Sequence, residues 1–73
     1  MNHPVEMSYD VKRNRWVADQ DGEAYGLHCG ECFELFIGSS KIPCRLELDS
    51  EWYVVMQGIR FNLRIRDTYM VII

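Results

Sequence analysis

The chain has 73 residues, of which 48% are hydrophobic, and a formal net charge of −3. A chain this short is predicted to form one domain, residues 1–73, that buries only about 60% of its unfolded surface. The negative charge argues against non-specific wrapping of nucleic acid, which depends on many lysine and arginine contacts to phosphate. No segment approaches the roughly 20 apolar residues of a membrane span, and residues 1–6 lack signal-peptide features. We therefore expect a cytoplasmic protein with no membrane partner.

The first part of the chain predicts a β-hairpin followed by a loop. Residues 7–10 and 15–18 are apolar runs that flank the turn residues Lys12-Arg13-Asn14. Residues 19–31 contain three of the five glycines and four acids, so they are predicted to form one long loop. Long loops in small domains often carry functional sites, and within this one His28, Cys29 and Glu31 are the candidate site residues.

The second part of the chain consists of short apolar segments separated by turn residues, which predicts strands at residues 33–37, 44–48, 52–56, 60–66 and 69–73. Alternation of apolar and polar residues in 33–37, 44–48 and 60–66 predicts one buried face for each of these strands. Hairpin-length connections favour an all-β fold, either a small SH3-like barrel or a curled antiparallel meander of five to seven short strands.

Three residues or segments carry more specific expectations about this sheet. Pro43 cannot donate to a strand ladder, so its strand should begin at an edge or a bulge. Phe61, Leu63 and Ile65 should face the core. The apolar terminal segment 69–73 must be covered, either by the first hairpin or by a second chain, which leaves both a monomer and a homodimer open.

Several short motifs occur in a recognisable order along the chain. Gly26-Leu27-His28-Cys29-Gly30-Glu31 precedes an alternating strand, and Ile42-Pro43-Cys44-Arg45-Leu46-Glu47, Trp52-Tyr53-Val54-Val55 and an apolar–arginine alternation follow. In this order the chain resembles the DUF5348 family of short proteins from Firmicutes and their phages and mobile elements, over about residues 15–66. The resemblance implies a compact β fold and a phage or mobile-element context, and it implies no activity.

The cysteines offer the tightest spacing of chemistry-bearing residues. Cys29 and Cys32 form a CxxC pair that suits one side of a tetrahedral zinc site, for which Cys44 and His28 are the candidates to complete four ligands. No second CxxC accompanies the pair. The simpler interpretation is that the chain holds no cofactor and that Cys44 is a small apolar residue of the core. A nucleophile held against a base is not evident, and no enzyme activity is expected.

Arginines and aromatic residues suggest two kinds of binding surface. Alternation predicts a shared outer face for Arg45, Arg60, Arg64 and Arg66, which could bind a nucleotide or nucleic acid together with an aromatic ring. The simpler interpretation is a solvated face balanced by glutamates such as Glu47. Only one of Trp52 and Tyr53 can point inward, and we expect Tyr53 and Phe36 to be outward aromatics that anchor a partner.

The function expected from these observations is a non-enzymatic small β module that binds a protein partner. In the mobile-element context, that partner is expected to be a host or defence protein. Nucleotide or nucleic-acid binding through the arginine face is the first alternative, and a zinc-stapled structural module is the second.

Overall fold

Turn residues divide the chain into eight short strands in the computed structural model, which describes residues 3–73. The strands are β1 (Val5–Asp10), β2 (Arg15–Gln20), β3 (Glu23–Gly26), β4 (Cys32–Ile37), β5 (Ser40–Leu48), β6 (Trp52–Met56), β7 (Ile59–Asn62) and β8 (Tyr69–Ile72). The predicted all-β class is confirmed, but the strand count of five to seven is too low. No helix within residues 3–73 is long and apolar enough to cross a membrane.

Tight turns set the register of the hairpins. Gln57 and Gly58 join β6 to β7 with φ angles of 53° and 75°, and Met56 pairs with Ile59 across them. Positive φ at both central residues characterises a type I′ turn, whose twist matches that of the flanking strands. Asp21 and Gly22 join β2 to β3 in the same way, with φ angles of 53° and 82°.

All strand pairs are antiparallel, and the sheet order is β3-β2-β1-β8-β4-β5-β6-β7. The terminal strand β8 therefore lies between β1 and β4, so the first hairpin covers it as one alternative expected. Because β1 and β4 occupy its two edges, β8 offers no edge to a second chain. Pro43 lies inside β5 rather than at its start, but β6 pairs only with residues 45–48, so the proline is on an unpaired edge as predicted.

Aromatic side chains hold the two ends of the curled sheet together. The rings of Tyr9 in β1 and Trp52 in β6 are 6.5 Å apart, although β8, β4 and β5 separate their strands in the sheet. Trp16 packs edge-on against Tyr9 and Tyr69, and Phe61 packs against Tyr69. The sheet is open in its hydrogen bonding, so the barrel alternative is not realised by strand pairing; side chains bring its ends together.

The concave face of the sheet carries the core. The side chains of this core are Met7, Trp16, Ala18, Leu27, Phe33, Leu35, Cys44, Leu46, Val54, Leu63 and Val71; Ile72 is also buried but lies outside this cluster. Most of them occupy alternate positions of their strands, as period-two patterning predicts. Burial of these side chains out of water is the main term that stabilises so small a domain.

Two predicted segments differ from the structure. Residues 19–31 do not form one long loop, because Glu23–Gly26 forms β3 and pairs with β2; only residues 27–31 remain as a loop. The strand expected at residues 60–66 ends at Asn62. The Leu63 amide still donates to the carbonyl of Trp52, the first residue of β6, and the Arg64 amide then donates to the Tyr69 hydroxyl (2.9 Å) instead of to a strand. Ile65 is consequently 59% exposed and does not face the core.

Candidate functional site

Trp52 is half-buried and separates two shallow concavities in the surface. One has a volume of about 410 Å³ and lies toward the segment after β7; the other, of about 300 Å³, lies toward the loop after β3. We call the residues that line both the Trp52 surface. They are Asn14, Arg15, Leu27, His28, Cys29, Leu48, Ser50, Glu51, Trp52, Asn62, Leu63, Arg64 and Ile65.

Exposed apolar side chains flank the tryptophan on both sides. Leu48 pairs with Trp52 across the β5–β6 hairpin and is 45% exposed, because it is the last residue of β5. Ile65 lies on the other side of Trp52 and is 59% exposed. The recessed indole and its two apolar neighbours therefore form an amphipathic surface of the kind that binds a partner side chain.

Hydrogen bonds of Glu31 hold the loop that lines the smaller concavity. One carboxylate oxygen accepts from the His28 amide at 3.0 Å and lies 3.6 Å from its Nδ1, while the other accepts from the Tyr25 hydroxyl at 2.7 Å. The hydrogen bond to Glu31 raises the pKa of Tyr25. Glu31 thus fixes the loop that presents His28 and Cys29 beside Trp52, so these candidate residues share one site, with Glu31 in a positioning role.

The predicted arginine face is divided by the early end of β7. Arg45 and Arg60 lie on the outer face, where Arg45 pairs with Glu47 and Arg60 pairs with Asp49 at 2.8 Å. The Arg60 guanidinium also lies 3.8 Å from the centre of the Tyr53 ring.

The other two arginines, Arg64 and Arg66, lie beyond the strand, and only Arg64 lines the Trp52 surface. The four arginines therefore do not form a single strand face.

The outward aromatics are less available than the sequence indicates. Tyr53 does point away from the core while Trp52 packs against it, as the alternation requires, but Tyr53 is half-buried beneath Arg60. Phe36 is also half-buried.

The cysteines do not assemble into the proposed zinc site. Cys29 and Cys32 are exposed, whereas Cys44 is 5% exposed on the core side, and burial raises the pKa of its thiol to about 12. A thiol with so high a pKa is a poor metal ligand, since zinc binds the thiolate. Among residues 3–73, no group of three or more His, Cys, Asp or Glu side chains is placed to hold a metal ion. Cys44 is a core residue, as the simpler interpretation expected.

Several residues of the Trp52 surface were not identified from the sequence. Leu48 and Ile65 were assigned to the buried face of their strands, and Arg15 and Trp52 were not assigned to a surface. The Leu27-His28-Cys29 string and the Trp52-Tyr53 pair were both recognised as motifs, but nothing in the sequence indicated that they meet.

The fold and this surface define a small all-β domain with a half-buried tryptophan between two shallow concavities. The chain belongs to the family described as domain of unknown function DUF5348, whose model matches residues 5–73. A crystal structure of a protein from Ruminococcus gnavus is similar to it, with 30% identity and a TM-score of 0.78 over 97% of this chain and 100% of that chain. No curated protein matches the chain. The family expected from the sequence is confirmed.

Proposed function

We propose that this domain is a non-enzymatic interaction module that binds a protein partner through the Trp52 surface. The observation that carries the proposal is the placement of a half-buried tryptophan between two concavities with Leu48 and Ile65 exposed beside it. Tryptophan and arginine are enriched among the residues that dominate binding energy, and Arg15 and Arg64 line the same surface. A host or defence protein is the partner class that the mobile-element context favours.

The outer arginines give less support to nucleotide or nucleic-acid binding. Arg45 and Arg60 are already paired with carboxylates, and a phosphate would have to displace Glu47 and Asp49. These exposed pairs cost little to break, but their carboxylates offset the positive charge of the face, so it is a weaker candidate than the Trp52 surface.

The test compares aspartate substitutions at exposed apolar positions inside and outside the surface. Leu48→Asp and Ile65→Asp place a charge beside Trp52, whereas Ile59→Asp is a matched control on β7, where the side chain is 67% exposed. The tagged domain and each variant are expressed in the native cell, partners are recovered, and the complex is rebuilt from purified components. We expect the rebuilt complex to be lost with Leu48→Asp and Ile65→Asp and kept with Ile59→Asp. A complex unaffected by the first two variants, or no partner at all with folded protein, would contradict the proposal.

A further inference from the structure

The charge of the Trp52 surface differs from that of the whole chain. The chain has a net charge of −3, yet the residues that line the surface include Arg15 and Arg64 against a single acid, Glu51. His28 and Cys29 are the other ionisable side chains of the lining, and the Nδ1 of His28 lies 3.6 Å from the carboxylate of Glu31. The lining thus has two guanidinium groups against the one carboxylate of Glu51, an excess of one positive charge in an acidic molecule.

The two arginines that line the Trp52 surface belong, with Arg66, to the arginines that enter no ion pair within residues 3–73. Within residues 3–73, the ion pairs of arginine side chains belong to Arg13, Arg45 and Arg60, and neither Arg15 nor Arg64 enters one. Arg15 and Arg64 lie near Trp52 and pair with no carboxylate of this chain, so their guanidinium groups are available to carboxylates of a partner.

Contacts within the chain fix the side-chain stem of Arg15 and the backbone of Arg64. The aliphatic stem of the half-buried Arg15 lies against Gly26, where an added Cβ would approach its Cδ to 3.1 Å. The Arg64 amide donates to the Tyr69 hydroxyl, and the Leu63 amide donates to the Trp52 carbonyl at 3.0 Å. Such positioning lowers the conformational entropy that binding would otherwise cost.

From this charge complementarity we infer that the partner supplies an acidic segment, in which an apolar side chain packs beside Trp52 and carboxylates pair with Arg15 and Arg64. The inference rests on the proposed function and names the chemistry of the occupant. The apolar contacts supply most of the affinity, and the ion pairs at the rim supply specificity and the salt dependence of association.

A random peptide library displayed on phage is the probe. We expect selection against the folded domain to enrich peptides that combine aspartate or glutamate with aromatic or aliphatic residues. The doubly reversed variant R15E/R64E should select basic peptides instead. Arg66→Glu is the matched control, because Arg66 is an exposed neighbour of Arg64 that does not line the surface, and it should keep the acidic selection.

One selected acidic peptide is then synthesised for affinity measurements. Arg64→Glu should weaken its binding about fivefold, an effect typical of one charged pair at a rim, and Arg66→Glu should leave it unchanged. Replacing the peptide's acids by amides should remove the difference between wild type and Arg64→Glu, because the pair is then absent.

The outcomes separate this inference from the proposed function. Peptides that lose binding with Leu48→Asp but carry no acidic residues would overturn the inference and leave the Trp52 surface as the binding site. Peptides insensitive to Leu48→Asp and Ile65→Asp, or no enrichment at all, would overturn both. A single-stranded oligonucleotide is the counter-probe: tight binding that R15E/R64E abolishes would assign the arginines to phosphate and overturn the acidic-segment inference.

Discussion

The exposure and the thiol pKa of a cysteine in this sheet depend on which face of its strand it occupies, and Cys44 lies on the buried face. Its side chain is 5% exposed in the core, whereas Cys32, on the neighbouring strand β4, and Cys29, in the loop before that strand, are exposed. Burial in apolar surroundings disfavours the charged thiolate and raises the pKa of Cys44 to about 12. The three thiols of this chain should therefore differ sharply in reactivity.

Alkylation of the native protein at neutral pH tests this difference. We expect iodoacetamide to modify Cys29 and Cys32 rapidly and Cys44 only after unfolding, because the thiolate is the reactive form and Cys44 remains protonated and covered. Peptide mass spectrometry with and without denaturant reads the three sites separately. Equal modification rates at all three cysteines in folded protein would show that Cys44 is not in the core.

The ion pair of Asp49 and Arg60 on the outer face makes the stability of the fold depend on pH. Two hydrogen bonds from the Arg60 guanidinium, at 2.8 and 3.2 Å, lower the pKa of Asp49 to about 2. Since the folded pKa is depressed, the stabilisation is fully present above the unfolded value of about 3.9 and is lost as pH falls through the folded value. Both side chains are exposed, so the effect is small and decreases with salt.

Asp49→Asn should lower the melting temperature slightly at pH 7 and make no difference below about pH 2. Calorimetry across that pH range measures the change, with Glu23→Gln as the control for loss of one exposed charge. In an Arg60→Gln background the Asp49→Asn substitution should have little further effect, because the pair is already broken. An equally large effect in that background would mean that Arg60 is not the cause.

At the scale of elements, two short segments present the Trp52 surface, and in each a tyrosine hydroxyl adds to backbone hydrogen bonds. Tyr25 donates to Glu31 in residues 27–31, and Tyr69 accepts from the Arg64 amide in residues 63–68. The Tyr69 ring packs against Trp16 and Phe61 without using its hydroxyl, and the Tyr25 side chain is exposed. Removal of either hydroxyl oxygen alone should therefore loosen its segment without unfolding the sheet.

Tyr69→Phe is expected to accelerate hydrogen exchange of the Arg64 amide and to cost about 1 kcal/mol of stability, the usual value of one hydrogen bond. Its ring contacts with Trp16 and Phe61 should persist. Tyr25→Phe provides the reciprocal control, since it should accelerate exchange of the His28 amide and leave Arg64 unchanged. If both variants changed both amides, the two segments would not be held independently.

The hairpins were predictable from the sequence because their signals are local. The turns at residues 11–14, 38–39 and 57–58 separate runs whose alternation identifies the buried face. The same logic could have found β3, since Asp21-Gly22 is a strong type I′ hairpin signal, but the acids and glycines around it favoured a loop. Alternation also continues through Ile65, but the partner strand β6 begins at Trp52, which accepts from the Leu63 amide, and the Arg64 amide donates to the Tyr69 hydroxyl instead of to a strand.

At the scale of the whole molecule, the curl of the sheet accounts for the smaller concavity. The larger one is lined by residues at neighbouring ends of β6 and β7, whereas the smaller one brings the β1–β2 turn and the loop after β3 against Leu48 and Trp52, on the side where the rings of Tyr9 and Trp52 meet. Periodicity reports which face of a strand is buried but not which strands meet across a curled sheet. For that reason the sequence identified His28, Cys29 and Arg64 as candidates separately, without Trp52 as their common neighbour.

The curl also explains how an open sheet of this size retains one core. Its edge strands β3 and β7 are each four residues long, and the aromatic contacts of Trp16, Tyr9 and Tyr69 close the concave side. Short edges limit uncontrolled strand pairing with other chains. We therefore expect a partner to bind at the Trp52 surface rather than along the edge strands β3 and β7.

Site-specific photocrosslinking in the native cell tests this central claim most directly. A benzoylphenylalanine is placed at Ile65, beside Trp52, and in a matched variant at Ile59, an exposed isoleucine on edge strand β7. We predict a discrete protein crosslink from position 65 that excess untagged wild-type domain competes away and the Leu48→Asp domain does not. A crosslink from position 59 but not from 65, or competition by Leu48→Asp equal to that by wild type, would contradict the assignment of the Trp52 surface.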